Sequence, residues 1–258
     1  MLLTIDVGNS HMVIGLYKEA ILRYHWRVNT NRDSTGDELA ALFHNLFTLE
    51  KLTFEHVHHI IIASVVPQMQ SAWVHFSRRH LELDPVFAND AEIEIGMPIL
   101  IDNPTELGAD RIVNAVAAYD KHQSALIVID FGTAITFDCI SADGKYLGGA
   151  IAPGLAISLD ALGQRTARLP RVDISTPPEK AIGTNTTAAI KSGILLGYGG
   201  MVEGMVARLK QEMSPAEVKT IATGGMAGLI APHAPSIEGV EPMLTLEGLR
   251  LLHERHND

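Results

Sequence analysis

Apolar residues in this chain recur at two spacings, and the alternation between them lays out the fold. Leu2–Asp6 and Met12–Tyr17 are short, densely apolar runs of strand type that form a hairpin, and Ile21–Val28 is a third strand candidate. Between Asp37 and Leu49 the apolar positions Leu39, Leu42, Phe43, Leu46 and Phe47 follow the period of an amphipathic helix. His59 to Val66 reads as a fully buried strand, and Pro67 opens a helix that runs through Trp73 to about His80. Asn103-Pro104-Thr105-Glu106 has the form of a helix start, with an Asn cap, Pro in the first turn and Glu three residues after the cap. Its apolar face continues through Ile112, Val113, Val116 and Ala117 to about His122. Helices alternating with strands predict a largely parallel sheet covered on both faces.

The second half begins with a run that repeats the first. Leu126-Ile127-Val128-Ile129-Asp130-Phe131-Gly132-Thr133-Ala134 matches Leu2-Leu3-Thr4-Ile5-Asp6-Val7-Gly8-Asn9-Ser10, and each copy leads into another strand, here Ile135–Ile140. The two aspartates lie about half the chain apart. Tyr146 to Gly154 reads as a flexible glycine-rich turn, Leu155–Leu162 as a helix, and Ser175-Thr176-Pro177-Pro178 as a mobile surface loop. Thr186–Met213 predicts a long helix carrying Gly193, Gly197, Gly200 and Gly204, or else several broken helices. Glycine weakens a helix by about 1 kcal/mol per site, so this many suggests close approach of another backbone. Val218–Ala222 is a last buried strand, ending at Thr223-Gly224-Gly225. We place a domain boundary near Lys121, giving an N-terminal domain 1–120 and a C-terminal domain 121–258.

Composition narrows the possibilities. The 258 residues are 47% hydrophobic and 19% charged, as in folded globular proteins. A net charge of −10 argues against a nucleic-acid partner, which needs clustered Lys and Arg. No apolar run approaches the roughly 20 residues of a membrane span. The N-terminal apolar run is too short and uncharged for a signal peptide, so the expected location is cytoplasmic. The single cysteine, Cys139, excludes an intramolecular disulfide and reads as a small buried hydrophobe in a strand.

Three places carry candidate chemistry. An Asp-x-Gly turn between strands lets backbone approach a ligand closely, and its successive amides make an anion-binding nest. Its carboxylate can hold a hard cation directly or through water. One copy alone is an ordinary hairpin turn; two at matching places suggest two acidic loops aimed at one nucleotide triphosphate and its metal. Neither a Walker-type loop nor a Gly-x-Gly-x-x-Gly loop is present, so phosphate binding falls to these turns. Gly108-Ala109-Asp110-Arg111 is the second place. Asp110 there could accept a proton from a substrate hydroxyl, its proton affinity raised by Glu106 one helical turn behind, and Arg111 offers a fork for carboxylate or phosphate. The alternative is an acidic residue complementing the helix dipole beside a surface ion pair. Thr223-Gly224-Gly225, the third, could let a base or ribose lie against backbone. His56, His58 and His59 divide between strand faces and do not make a metal set, and Arg78-Arg79-His80 reads as a solvated helix end.

Taken in order, several segments resemble the type III pantothenate kinases of the acetate and sugar kinase, heat-shock chaperone and actin superfamily. They are Asp6-Val7-Gly8-Asn9-Ser10, Ser64-Val65-Val66-Pro67, Asn103-Pro104, Gly108-Ala109-Asp110-Arg111, Asp130-Phe131-Gly132-Thr133-Ala134, Gly148-Gly149 with Pro153-Gly154, Leu169-Pro170, Ile182-Gly183 with Asn185-Thr186, and Thr223-Gly224-Gly225. The resemblance implies an α/β fold of two duplicated ribonuclease-H-like, actin-like ATPase domains with ATP in the cleft between them. It implies ATP-dependent phosphorylation of pantothenate to 4′-phosphopantothenate, the first step of coenzyme A biosynthesis. Asp6, Val7, Gly8, Asn9, Ser10, His11, Met12 and Val13 would hold the ATP phosphates, with Asp6 near Mg2+ through water, and Thr133 would also contact ATP. Asp130 would bind a monovalent cation, K+ or NH4+. Gly108, Ala109, Asp110 and Arg111 would contact pantothenate, with Asp110 as the base, and Thr186 would complete that pocket. The family forms homodimers. Many members have tyrosine seven residues before the glycine of Gly-Ala-Asp-Arg, where this chain has Ile101. Two other readings stand beside this one: a non-catalytic nucleotide-binding regulator of the same fold, and a kinase for another small hydroxylated substrate.

Overall fold

A computed structural model describes every residue except Ala91, 166–169, Arg171, Pro215 and Asp258, and leaves out the side chain of Asn257. Leu169 of the matching segments therefore lies outside the described residues. Two compact units emerge: Met1–Gly96 with Thr105–Ala117 and Leu244–Asp258, and Met97–Pro104 with Ala118–Met243.

The first unit opens with an antiparallel meander of β1 (Leu2–Val7), β2 (His11–Lys18) and β3 (Ile21–Asn29). Helix α1 (Gly36–Leu49) follows, then β4 (His59–Ser64), α2 (Gln70–Phe76) and the two-residue β5 (Val86–Phe87). The sheet order is β3-β2-β1-β4-β5, with β4 parallel to β1 and β5 parallel to β4. Helix α1 starts where it does because Thr35 and Glu38 close a capping box, Thr35 N–H donating to Glu38 at 2.7 Å and Glu38 N–H to Thr35 Oγ1 at 3.3 Å. Leu3, Ile5, Ile14 and Leu16 pack with Phe43, Phe47, Trp73 and Phe76 in one buried cluster. Each such side chain contributes about 1.5–3 kcal/mol by leaving water.

Helix α3 (Ala109–His122) begins in the first unit and ends in the second. The second unit then continues with β6 (Ala125–Phe131), β7 (Ala134–Ile140) and β8 (Tyr146–Pro153). Helices α4 (Leu155–Arg165) and α5 (Thr186–Glu212), strand β9 (Val218–Thr223), the short α6 (Ala227–Ile230) and the two-residue β10 (Gly239–Val240) complete it. Helix α7 (Leu244–Asn257) ends the chain. The order β10-β9-β6-β7-β8 reproduces the first sheet strand for strand, antiparallel on one side of the Asp-bearing strand and parallel on the other. Asp6 pairs across to Val13 and Ala63, and Asp130 to Thr136 and Thr223. The duplication read from the two Asp-x-Gly runs is thus a duplication of whole five-stranded sheets. Cys139 is buried in β7, as its surroundings in the sequence predict.

The structure departs from the sequence expectations in five places. Tyr146–Pro153 is a strand rather than a flexible turn. It pairs along its length with β7, and Gly148, at φ +123°, absorbs the irregularity opposite Cys139 and Ile140. The helix expected from Asn103 is a separate 3-10 turn, Pro104–Glu106, and α3 starts only at Ala109. Helix α2 is short, entered by a 3-10 turn at Pro67–Met69 and continued by a π-turn at Ser77–Leu81. The long helix α5 is unbroken, but a side chain at Gly193, Gly197 or Gly200 would meet nothing within 4 Å. Gly199 instead takes the backbone approach, from His233. Segment 244–258 packs within the first unit and 97–104 within the second. The cause in the first case is apolar: Leu244, Leu246, Leu249 and Leu252 of α7 are all buried, and α7 comes close enough that a side chain at Gly15 would touch Leu246 Cδ1 at 2.9 Å. No described helix is long and apolar enough to cross a membrane.

Candidate active site

Asp6 is the last polar residue of β1, half-buried, and it delivers the chain into a braced turn. Gly8 N–H donates to His11 O at 3.0 Å, closing the turn, and a side chain at Gly8 would crowd that same oxygen at 2.9 Å. Two residues beyond β3 hold the turn from outside. Thr30 Oγ1 donates to Gly8 O at 2.7 Å, Thr30 N–H to Ser10 O at 3.0 Å, and Arg32 to Asn9 Oδ1 at 2.9 Å. Thr30 and Arg32 were not singled out from the sequence; the only signal was their place just past a strand pairing with the turn. His11 accepts from Arg27 at 3.2 Å in this arrangement, and partial burial, then Arg27, lowers its proton affinity.

The Gly108–Arg111 corner meets the same end of this sheet through Val65. Val65 N–H donates to Val7 O at 3.1 Å, and its Cγ1 lies 4.0 Å from where a side chain at Gly108 would begin. Asp110 sits in the first turn of α3, where the positive end of the helix dipole favours a negative group. Its Oδ1 accepts from Arg111 N–H at 2.9 Å. The same oxygen lies 2.5 Å from the position of a Gly108 Cβ, so any side chain at 108 would displace the carboxylate. Because Glu106 belongs to a separate 3-10 turn, the expected helical spacing between it and Asp110 does not form.

In the second unit Asp130 is the last but one residue of β6, and a comparable turn follows. Gly132 N–H donates to Ala134 O at 3.0 Å, and Gly154 N–H donates to Thr133 O at 3.1 Å. A side chain at Gly154 would overlap the Gly132 and Thr133 carbonyls, so Gly154 lets the end of β8 close onto the turn. The Thr223-Gly224-Gly225 segment packs on Asp130 rather than standing apart from it. Gly224, at φ +89°, has its backbone where a Cβ would run into Asp130 Oδ1 and the Phe131 backbone. Glycine is required there twice over, by conformation and by space. The sequence suggests Gly154 as part of a flexible turn and Gly224 as a place for a base or ribose to lie against backbone; their steric roles emerge from the fold.

Thr186 is the first residue of α5, which Asn185 caps by accepting from Ala188 N–H at 2.9 Å. It is exposed and lines a hollow with Leu162, Gly183, Asn185, Ala189 and Gly193. Ile101 is half-buried in the second unit, its Cγ2 3.6 Å from the side-chain position of Gly148. The histidines near β4 have separate partners: His56 with Thr53, His58 with the N-terminal ammonium at 3.0 Å, and His59 with the His253 ring. Arg78 and Arg79 pair with Asp84 and Asp37. His80 also pairs with Asp37, so this helix end is tied to its surroundings rather than merely solvated.

Comparison with known proteins bears on what these corners do. The chain matches the family model described as type III pantothenate kinase over residues 2–208. It is 50% identical over 256 residues to the type III pantothenate kinase of Geobacter sp. (strain M21), covering 99% of this chain and 100% of that protein. Two solved structures resemble it at low identity. A Baf family protein from Campylobacter jejuni superimposes with a TM-score of 0.56 at 18% identity, covering 99% of this chain and 98% of that one. The inorganic polyphosphate/ATP-glucomannokinase of Arthrobacter sp. strain KM gives a TM-score of 0.51 at 14% identity, covering 99% of each chain. These last two likenesses show a shared two-domain α/β fold. On its full-length match to the pantothenate enzymes, the chain belongs to the type III pantothenate kinase family.

Proposed function

We propose that the chain transfers the γ-phosphate of ATP to the primary hydroxyl of pantothenate, giving 4′-phosphopantothenate on the way to coenzyme A. The observation that carries the residue assignments is the Gly108–Arg111 corner. There Gly108 leaves room for the Asp110 carboxylate, and Val65 joins that corner to the strand bearing Asp6. Asp110 takes the hydroxyl proton as the new O–P bond forms and the bond to ADP breaks. Gly108, Ala109 and Arg111 contact pantothenate, and Thr186 completes its pocket. The turn Asp6–Val13 holds the ATP phosphates, supported by its braced backbone, and Thr133 also contacts ATP. Phosphoryl transfer through a loose transition state needs positioning and charge neutralisation more than a strong base, so an aspartate suffices.

The donor chemistry of two residues fits the cations this reaction uses. Asp6 offers only oxygen at the end of a strand, the donor type that magnesium takes, here through water. Asp130 faces the Gly224 backbone in a cradle that a Cβ would fill, which suits a potassium or ammonium ion. When bound, these cations neutralise charge on the phosphate oxygens. The enzyme acts in the cytoplasm as a homodimer; the open face of α5 at Gly193, Gly197 and Gly200 supports the homodimer, since small residues let a second backbone approach.

An ADP-release assay with pantothenate and a panel of other small polyols, with and without potassium, tests the proposal. ADP release with pantothenate alone, dependent on potassium, is the expected result. Release with another polyol would reassign the substrate, and no release with any would favour a non-catalytic regulator.

A further inference from the structure

A second group of donor side chains lies in the first unit, outside the corners described above. Past α2 the backbone winds as a π-turn over Ser77–Leu81. On an α-helix two residues five apart point about 140° away from each other. The wider π-turn brings such residues towards one side and is often found at functional positions. Here those residues are His75 and His80, whose rings lie 6.3 Å apart. Asp37, in the first turn of α1, completes the group, its Oδ1 lying 2.8 Å from His80 Nε2. One donor atom from each of Asp37, His75 and His80 lies within 4.8 Å of the others.

The elements behind them are closely packed. A side chain at residue 36 would run into the His75 ring, so only glycine lets the start of α1 meet it. The buried ring of Phe43 sits 4.8 Å from Phe76 and 6.0 Å edge-on to Trp73, fixing α1 against α2.

We propose that Asp37, His75 and His80 form a binding site for a divalent transition-metal ion of the zinc type. Two imidazole nitrogens and one carboxylate suit zinc, whereas magnesium and potassium prefer oxygen donors alone. Its donor set therefore differs from the all-oxygen donors proposed for the cations of phosphoryl transfer. Three protein donors leave a fourth tetrahedral position for water or an added ligand. Arg79 Nε, 3.8 Å from Asp37 Oδ1, is on a side chain 65% exposed, so it can withdraw into water when an ion enters.

Calorimetric titration of the chelator-treated, full-length protein with Zn2+ alone tests the site, alongside titration with Co2+ followed by its visible absorption. One ion per chain is expected, with micromolar affinity, a tetrahedral cobalt spectrum and a raised thermal midpoint. His75→Gln and His80→Gln should each weaken binding more than the roughly 10-fold cost of losing an outer hydrogen-bond partner. Asp37→Asn keeps the size of the side chain and covers the case in which a histidine variant fails to fold. His58→Gln should bind as the wild type does. Stoichiometric binding that persists unchanged in all three site variants overturns the proposal, as does the absence of stoichiometric binding to the wild type. In either case the three side chains serve only as an ion-paired contact between helices.

Discussion

At the scale of single residues, two acidic groups each sit against a glycine. Gly108 makes way for the Asp110 carboxylate and Gly224 for that of Asp130. In both Gly-Ala-Asp-Arg and Thr-Gly-Gly the glycine is therefore tied sterically to a carboxylate. A buried tyrosine leaves a different mark. Burial, with Glu247 adding to it and Arg250 opposing, pushes the Tyr17 phenol up from 10.0 to about 12. The raised value means the neutral form is favoured by folding. Its contribution is therefore whole below pH 10 and is lost as pH rises from there through about 12. Denaturant unfolding measured from pH 9 to 12 should show that decline, amounting to about 3 kcal/mol at most. Tyr17→Phe should flatten it, and an equally steep decline in that variant would remove Tyr17 as its source.

At the scale of elements, the parts visible from the sequence are those whose pattern is local. Strands β1, β2, β6 and β7 declare themselves because an apolar run, an acid and a glycine follow in a few residues. Strand β8 hides because Gly148, Gly149, Ala150 and Ala152 have almost no side chain to show the alternation; only pairing with β7 makes them a strand. The true start of α3 hides behind Asn103-Pro104, a persuasive cap that yields only a 3-10 turn before the Leu107–Gly108 corner. Among the residues of the proposed site, Asp6, Asp110 and Asp130 stand out in the sequence by their motifs, whereas Thr30 and Arg32 depend on how β3 lies beside the turn, which no local pattern encodes. Helix α7 was not foreseen, and its attachment to the first sheet is a matter of long-range burial. Leu249→Ala should cost about 2–5 kcal/mol, seen as a lower midpoint of chemical unfolding. A loss below about half a kilocalorie would mean α7 contributes little to the first unit.

At the scale of the molecule, one five-stranded sheet has been used twice, and the two copies have diverged in what they present. The first gives a braced turn and the Asp110 corner; the second gives Asp130 under Gly224 and the Thr186 hollow. A net charge of −10 adds no general attraction for ATP, so in the proposed function phosphate binding would rest on local groups. The glycine face of α5 belongs to this scale as well. Gly197→Glu should convert a homodimer into monomers in sedimentation velocity, and an unchanged dimer would take α5 out of the interface. The account turns finally on one side chain, and steady-state kinetics of Asp110→Asn with pantothenate and ATP measure it. We predict a fall in kcat of about 10²–10⁴-fold, the scale of general-base catalysis, with the KM for ATP little changed. Turnover at the wild-type rate in that variant would contradict it.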